Sequence, residues 1–138
     1  MALRIFLGLS ALLWLPYGMY CFFSPGFLDE AAGVASSSVT GTIELRAMYG
    51  GLQTGIGVLA LAAIVVPGLQ RPALVMLLFL CAGLGIARLI GAVVSGEFST
   101  YTLGGLGFEF ASVVAAAWLL RRLPPETGVV AASAAAPN

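Results

Sequence analysis

The stretch Gly41 to Pro67, GTIELRAMYGGLQTGIGVLALAAIVVP, decides how this chain is read. A helix crosses a bilayer with about 20 apolar residues, and this run is long and apolar enough to do so. Yet it opens with Glu44 and Arg46, and Tyr49 and Gln53 follow within its first turns. Glycines at positions 41, 50, 51, 55 and 57 interrupt it. Charge and glycine at the head of a spanning segment predict a helix packed against partners, not one that faces lipid.

The rest of the chain agrees with a membrane location. Of 138 residues, 60% are hydrophobic and 9% charged, with a mean hydropathy of +1.04. Soluble domains carry about 25% charged residues, so this composition could not coat a globular surface. The formal net charge is zero, which gives no footing for nucleic acid. There is no histidine, and with it go the commonest metal ligand and the usual base at neutral pH. Cys21 and Cys81 lie far apart with no CxxC, against a zinc site or a thioredoxin-type pair. No metal or cofactor is called for by these residues.

Three further apolar runs flank the central one. Residues 3–23 carry Arg4 at their start and contain Pro16, where a kink is expected. This run has a signal peptide's basic start, but its length of about 20 residues fits a span better. Residues 42–66, 72–95 and 101–122 complete the set, with Thr40 or Thr42 as an N-cap of the second. Arg4, Arg71, Arg121 and Arg122 fall at one end of the runs, and Asp29, Glu30 and Glu97 at the other. The expected fold is therefore all-α, an integral membrane four-helix antiparallel bundle over residues 1–122, with both termini cytoplasmic by the positive-inside rule. Residues 123–138 are Ala- and Pro-rich, and a disordered cytoplasmic tail is expected there.

The charges inside these runs converge. At ~1.5 Å per residue, Arg88 and Glu109 each lie about 10 Å from the outer ends of their helices, and Tyr17 at a similar depth. At ~100° per residue, Arg46, Tyr49, Gly50, Gln53 and Gly57 share one side. Ser10, Trp14, Tyr17 and Cys21 form a line on the first run, Cys81, Arg88 and Ser95 on the third, and Thr102, Gly105, Glu109 and Ser112 on the fourth. A buried intramembrane charge costs at least a few kcal/mol unless paired or wet. The economical arrangement sets Arg88 against Glu109, with Arg46 near Glu44 or Glu109. The candidate ligand-binding residues are then Arg46, Tyr49, Gln53, Arg88, Glu109, Glu44 and Tyr17. An ion pair that only fixes helix register is the plainer reading of Arg88 and Glu109.

Glycine has a packing reading of its own. Gly51-x-x-x-Gly55 and the strip Gly83, Ala87, Gly91 are small-residue faces on which helices approach closely, within the chain or in a homo-oligomer. Gly104, Gly105 and Gly107 are expected to loosen the start of the last helix.

The run Glu44-Leu-Arg46-Ala-Met-Tyr49-Gly50-Gly51, with Arg88 and Gly107-Phe-Glu109 after it, resembles small bacterial four-helix membrane proteins grouped as a domain of unknown function, over about residues 3–122. That resemblance implies a fold and a place in the inner membrane, and no activity. In layout the chain is also similar to DoxX-like proteins and to the four-helix fold of sterol isomerases and sigma-2-type receptors. Three function classes follow. One is a polar, charge-paired pocket in the outer half of the bilayer that binds a small amphiphilic or lipid-like ligand. The second is a membrane enzyme with Glu109 as general acid and base. The third is a structural, accessory or transport subunit acting as an oligomer.

Overall fold

A computed structural model describes residues 1–124. Apart from Leu123 and Pro124, the tail expected to be disordered lies outside the described residues. The elements are α1 (Ala2–Phe23), α2 (Phe27–Ala32), α3 (Val39–Leu45), a π-helical turn (Arg46–Gly51), α4 (Leu52–Val65), a 3-10 turn (Pro67–Leu69), α5 (Gln70–Ser95) and α6 (Thr100–Arg122). Val39–Val65 is one continuous helix carrying the π turn within it. With Ala2–Phe23, Pro67–Ser95 and Thr100–Arg122, it makes four helices among the described residues that are long and apolar enough to cross a membrane. The chain is all-α, and its four long apolar helices are those of a multi-pass membrane protein.

Local chemistry sets the ends. The N-cap before α3 is Ser38, not Thr40 or Thr42: its hydroxyl accepts the Gly41 N–H at 3.0 Å. Thr42 instead donates its own hydroxyl to the Ser38 carbonyl. Ser99 caps α6 by accepting the Thr102 N–H at 3.2 Å. Gly96 ends α5 at φ +69°, a left-handed conformation that glycine adopts without penalty. The helix α1 runs through the exposed Pro16 without interruption. Between α1 and α3, α2 buries Leu28 completely, so this polar connection is partly folded.

The helices pack as two antiparallel pairs, α1 on α4 and α5 on α6. Three glycines bring the first pair into backbone contact. A Cβ added to Gly57 would lie 2.6 Å from Leu15 N, and one on Gly50 2.8 Å from Phe22 Cα. A Cβ on Gly18 would collide with the Thr54 backbone. Moving up α1 from Leu15 to Phe22 means moving down its partner from Gly57 to Gly50. The glycines that do this packing are not Gly51 and Gly55. A Cβ on Gly55, Gly83 or Gly91 would meet nothing within 4 Å, so both strips picked out by spacing face outward.

One end of the bundle is solid. Leu7, Ala11, Ile56, Ala60, Ala63, Ala73, Leu77 and Cys81 join α1, α4 and α5 there, and Leu74, Ala116 and Leu119 join α5 to α6. Alanine at so many contact positions lets backbones close up, which in lipid is a main source of helix association. Both cysteines are buried and unpaired. The outer surface is apolar, with Phe79 71% and Val94 82% exposed. Such a surface would aggregate in water, and hydrocarbon is the solvent it suits.

This packing generates a contrast between two neighbouring glycines. Gly57→Val forces side-chain atoms into the α1 backbone, and overpacking of this kind costs roughly 1–3 kcal/mol or more. Gly55→Val enters open space. Thermal unfolding in detergent is expected to show a clear loss of melting temperature for Gly57→Val and little for Gly55→Val. Equal behaviour of the two would mean that α1 and α4 do not touch along this face.

Candidate functional site

The other end of the bundle is hollow. A cavity of about 720 Å³ lies between the two helix pairs. Trp14 and Tyr17 line it from α1, Tyr49 and Gln53 from the π turn and α4, Arg88 from α5, and Tyr101, Phe108 and Glu109 from α6. Apolar side chains such as Leu13, Met48, Ile56 and Leu84 make up much of the remaining wall.

Its polar floor is an ion pair. Arg88 Nη2 donates to Glu109 Oε1 at 2.7 Å, and Arg88 Nε donates to both carboxylate oxygens at 3.1 Å. The Glu109 side chain is 4% exposed and that of Arg88 28%, the guanidinium being the member turned to the cavity. Of two glycines beside the pair, one makes room for it. A Cβ on Gly105, one turn before Glu109, would lie 2.8 Å from Arg88 Nε. A Cβ on Gly85 would lie 3.4 Å from Glu109 Cβ. Gly105 therefore seats a guanidinium. It does not loosen its helix, since α6 is continuous through Gly104, Gly105 and Gly107.

Aromatic groups extend the polar line across the cavity. Arg88 Cζ stands 5.8 Å from the Tyr101 ring centroid, and the Tyr101 and Tyr17 hydroxyls are 3.0 Å apart. Glu109 and Tyr101 of α6, Arg88 of α5 and Tyr17 of α1 thus form one polar line. Trp14 packs on Phe108 with ring centroids 5.7 Å apart. Three buried polar atoms have no partner among the described residues: Trp14 Nε1, Gln53 Oε1 and Thr54 Oγ1.

Of the residues singled out in the sequence, Tyr17, Tyr49, Gln53, Arg88 and Glu109 come together around this cavity. Glu44 and Arg46 do not. Both are exposed and off the cavity wall, and among the described residues neither joins an ion pair. The π turn is the reason. Its Leu52 N–H reaches back to the Ala47 carbonyl, an i→i+5 step. Rotation from Arg46 to Gln53 falls short by one residue's worth, about 100°, of what an α-helix would give. Tyr101, Trp14 and Phe108 are the aromatic lining residues that sequence reasoning passed over as site members. Tyr101 had a signal, since it precedes Gly105 and Glu109 at successive four-residue steps on one helical line.

A double-mutant cycle tests the pair. Arg88→Met or Glu109→Gln alone leaves one buried polar group without its partner, which costs about 3 kcal/mol or more for a pair sealed from water. The double substitution removes both groups and is expected to melt, in detergent, above either single variant. Singles as stable as the parent would mean that water already solvates both groups.

Neither the curated proteins nor the solved structures contain a match to this chain. The sequence model of a domain of unknown function, DUF4345, matches residues 2–120, which takes in the four long helices up to two residues from the end of α6 and every cavity-lining residue named above. The chain belongs to the DUF4345 family.

Proposed function

We propose that this protein sits in the cytoplasmic membrane with both termini cytoplasmic and binds a small amphiphilic or lipid-like molecule in its cavity. The observation that carries this reading is the cavity itself, about 720 Å³, with an apolar wall and polar groups gathered on one line. Small-molecule sites span roughly 300–1,000 Å³ and share that pattern of apolar lining with few fixed polar groups. A ligand's polar head would lie by Arg88, Tyr17, Tyr101 and Gln53, and its tail among the leucines and aromatic rings.

The orientation has support from charge. Arg71 Nη2 donates to the Pro124 carbonyl at 2.9 Å, so the start of α5 and the end of α6, with Arg121 and Arg122, share one end of the bundle. The basic end is cytoplasmic by the positive-inside rule, and the cavity then lies in the outer half of the bilayer. An acid–base role for Glu109 has less support. Both of its oxygens already accept hydrogen bonds from Arg88, and the carboxylate is nearly sealed from any substrate.

Two measurements check this reading. Cysteines introduced near Glu97 and near Arg122, in a Cys21→Ser, Cys81→Ala background, are expected to label from opposite sides of the membrane; labelling from one side overturns the topology. Native mass spectrometry of protein released from membrane is expected to find a retained amphiphile that is lost on Arg88→Met, Glu109→Gln double substitution. Bare protein, or protein with a stoichiometric partner chain, would favour the structural or accessory reading.

A further inference from the structure

We infer that this cavity selects amphiphiles whose polar head presents an oxygen acceptor, and that it rejects cationic amphiphiles. This rests on the binding reading above and narrows it to one head-group chemistry.

The ion pair is balanced in charge, but its two members are not turned equally to the cavity. Glu109 lies behind, its side chain 4% exposed, while that of Arg88 is 28% exposed and on the wall. Both carboxylate oxygens already accept from Arg88. A ligand therefore meets the positive end of a fixed dipole. A guanidinium has five N–H groups and no acceptor. The Nε group and one of those on Nη2 serve Glu109. The other on Nη2 and the two on Nη1 meet no acceptor among the described residues. Donors on a charged group gain more from an acceptor than neutral donors do.

The tyrosine pair adds a donor beside them. The Tyr17 and Tyr101 hydroxyls are 3.0 Å apart, so one donates to the other and the second keeps its own proton to give. The acceptors that an ammonium would need are closed off. Glu109 is sealed behind Arg88, and Gln53 Oε1 is buried. The Tyr49 and Thr100 hydroxyls both donate and accept, and favour neither class. Aromatic faces hold cations elsewhere, but here the Tyr101 ring already carries the Arg88 guanidinium, 5.8 Å from its centroid. Trp14 and Phe108 pack on each other. An ammonium on these rings would stand beside a charge of its own sign, in an apolar segment where water does little screening.

Trp14 is a built-in reporter, being 7% exposed and on the cavity wall. Trp118 lies away from the cavity, stacked against Arg122, so Trp118→Phe leaves Trp14 as the single indole. This variant, in phosphatidylcholine vesicles, is titrated with amphiphiles that share one dibrominated chain: the free acid, its methyl ester and the primary amine. The pH keeps the acid ionised and the amine protonated. Bromine quenches indole fluorescence at short range. The host lipid competes equally with every probe, so ratios of affinity are read. The tighter of acid and ester is expected to quench saturably and to be displaced by its unbrominated form. It is expected to bind roughly tenfold or more above the amine. A tighter acid marks an anionic head group, a tighter ester an uncharged carbonyl. Tyr17→Phe or Tyr101→Phe alone leaves one hydroxyl with its proton and is expected to change little. Both together are expected to weaken acid and ester roughly fivefold, the worth of one hydrogen bond, with the amine unaffected. Arg88→Met with Glu109→Gln is expected to bring all the probes to one level. An amine that binds as well as acid and ester, or a preference that survives removal of the ion pair, overturns the head-group inference and leaves the binding reading standing. Saturable quenching by none of the probes also overturns the inference. The native mass spectrum then decides the reading beneath it: a retained amphiphile of other chemistry keeps that reading, and bare protein removes both.

Discussion

A carboxylate and a guanidinium buried between two helices in an apolar medium have only each other to turn to. The contact between Arg88 and Glu109 therefore fixes how α5 and α6 meet, and the rest of the hollow end follows from it. Gly105 stands where it does because the guanidinium fills the space its side chain would occupy. Tyr101 lies over the guanidinium, and Tyr17 reaches Tyr101 from across the bundle. The solid end needs none of this. Alanine and leucine dominate its packing, and the buried Ser10 hydroxyl is satisfied by the Phe6 carbonyl, which leaves the two helix pairs free to diverge where the bulky rings and the ion pair lie.

Much of this was legible in the sequence because lipid leaves helices little latitude. Four apolar runs of spanning length with short polar connections can hardly form anything else, since every backbone group must be satisfied within the segment. Arg88 and Glu109 could be paired on paper because each was a costly charge at matching depth with no cheaper partner. Depth depends on the rise per residue, which the π turn hardly changes. Angle does not have that protection. Arg46 was assigned to the cavity by an uninterrupted count of about 100° per residue, and the count fails at the one place where the helix changes its hydrogen-bond step.

The same failure explains the glycines. Gly51 and Gly55 have the spacing of a packing motif, yet the face that meets α1 carries Gly50 and Gly57. Spacing states that two small residues share a face; it does not state which face the partner helix takes. That choice is made by Gly18 and by the backbone at Leu15 and Phe22, residues of another helix altogether. Tyr101 was overlooked for a different reason. A tyrosine at a helix start reads as an interface anchor, and its contact with Tyr17 is a property of two segments far apart in the chain.

The π turn has a consequence for how this gene can change. It houses one residue more than the faces on either side of it require. Loss of a single codon within Arg46–Gly51 would convert the turn to plain α-helix and leave α3 and α4 facing as they do now. Loss of a codon within Leu52–Val65 would swing everything before it by about 100°, taking Tyr49 off the wall and Gly50 away from Phe22. Length variation among related chains in this helix should therefore gather at the π turn, the one site where the reading frame of the fold tolerates a missing residue.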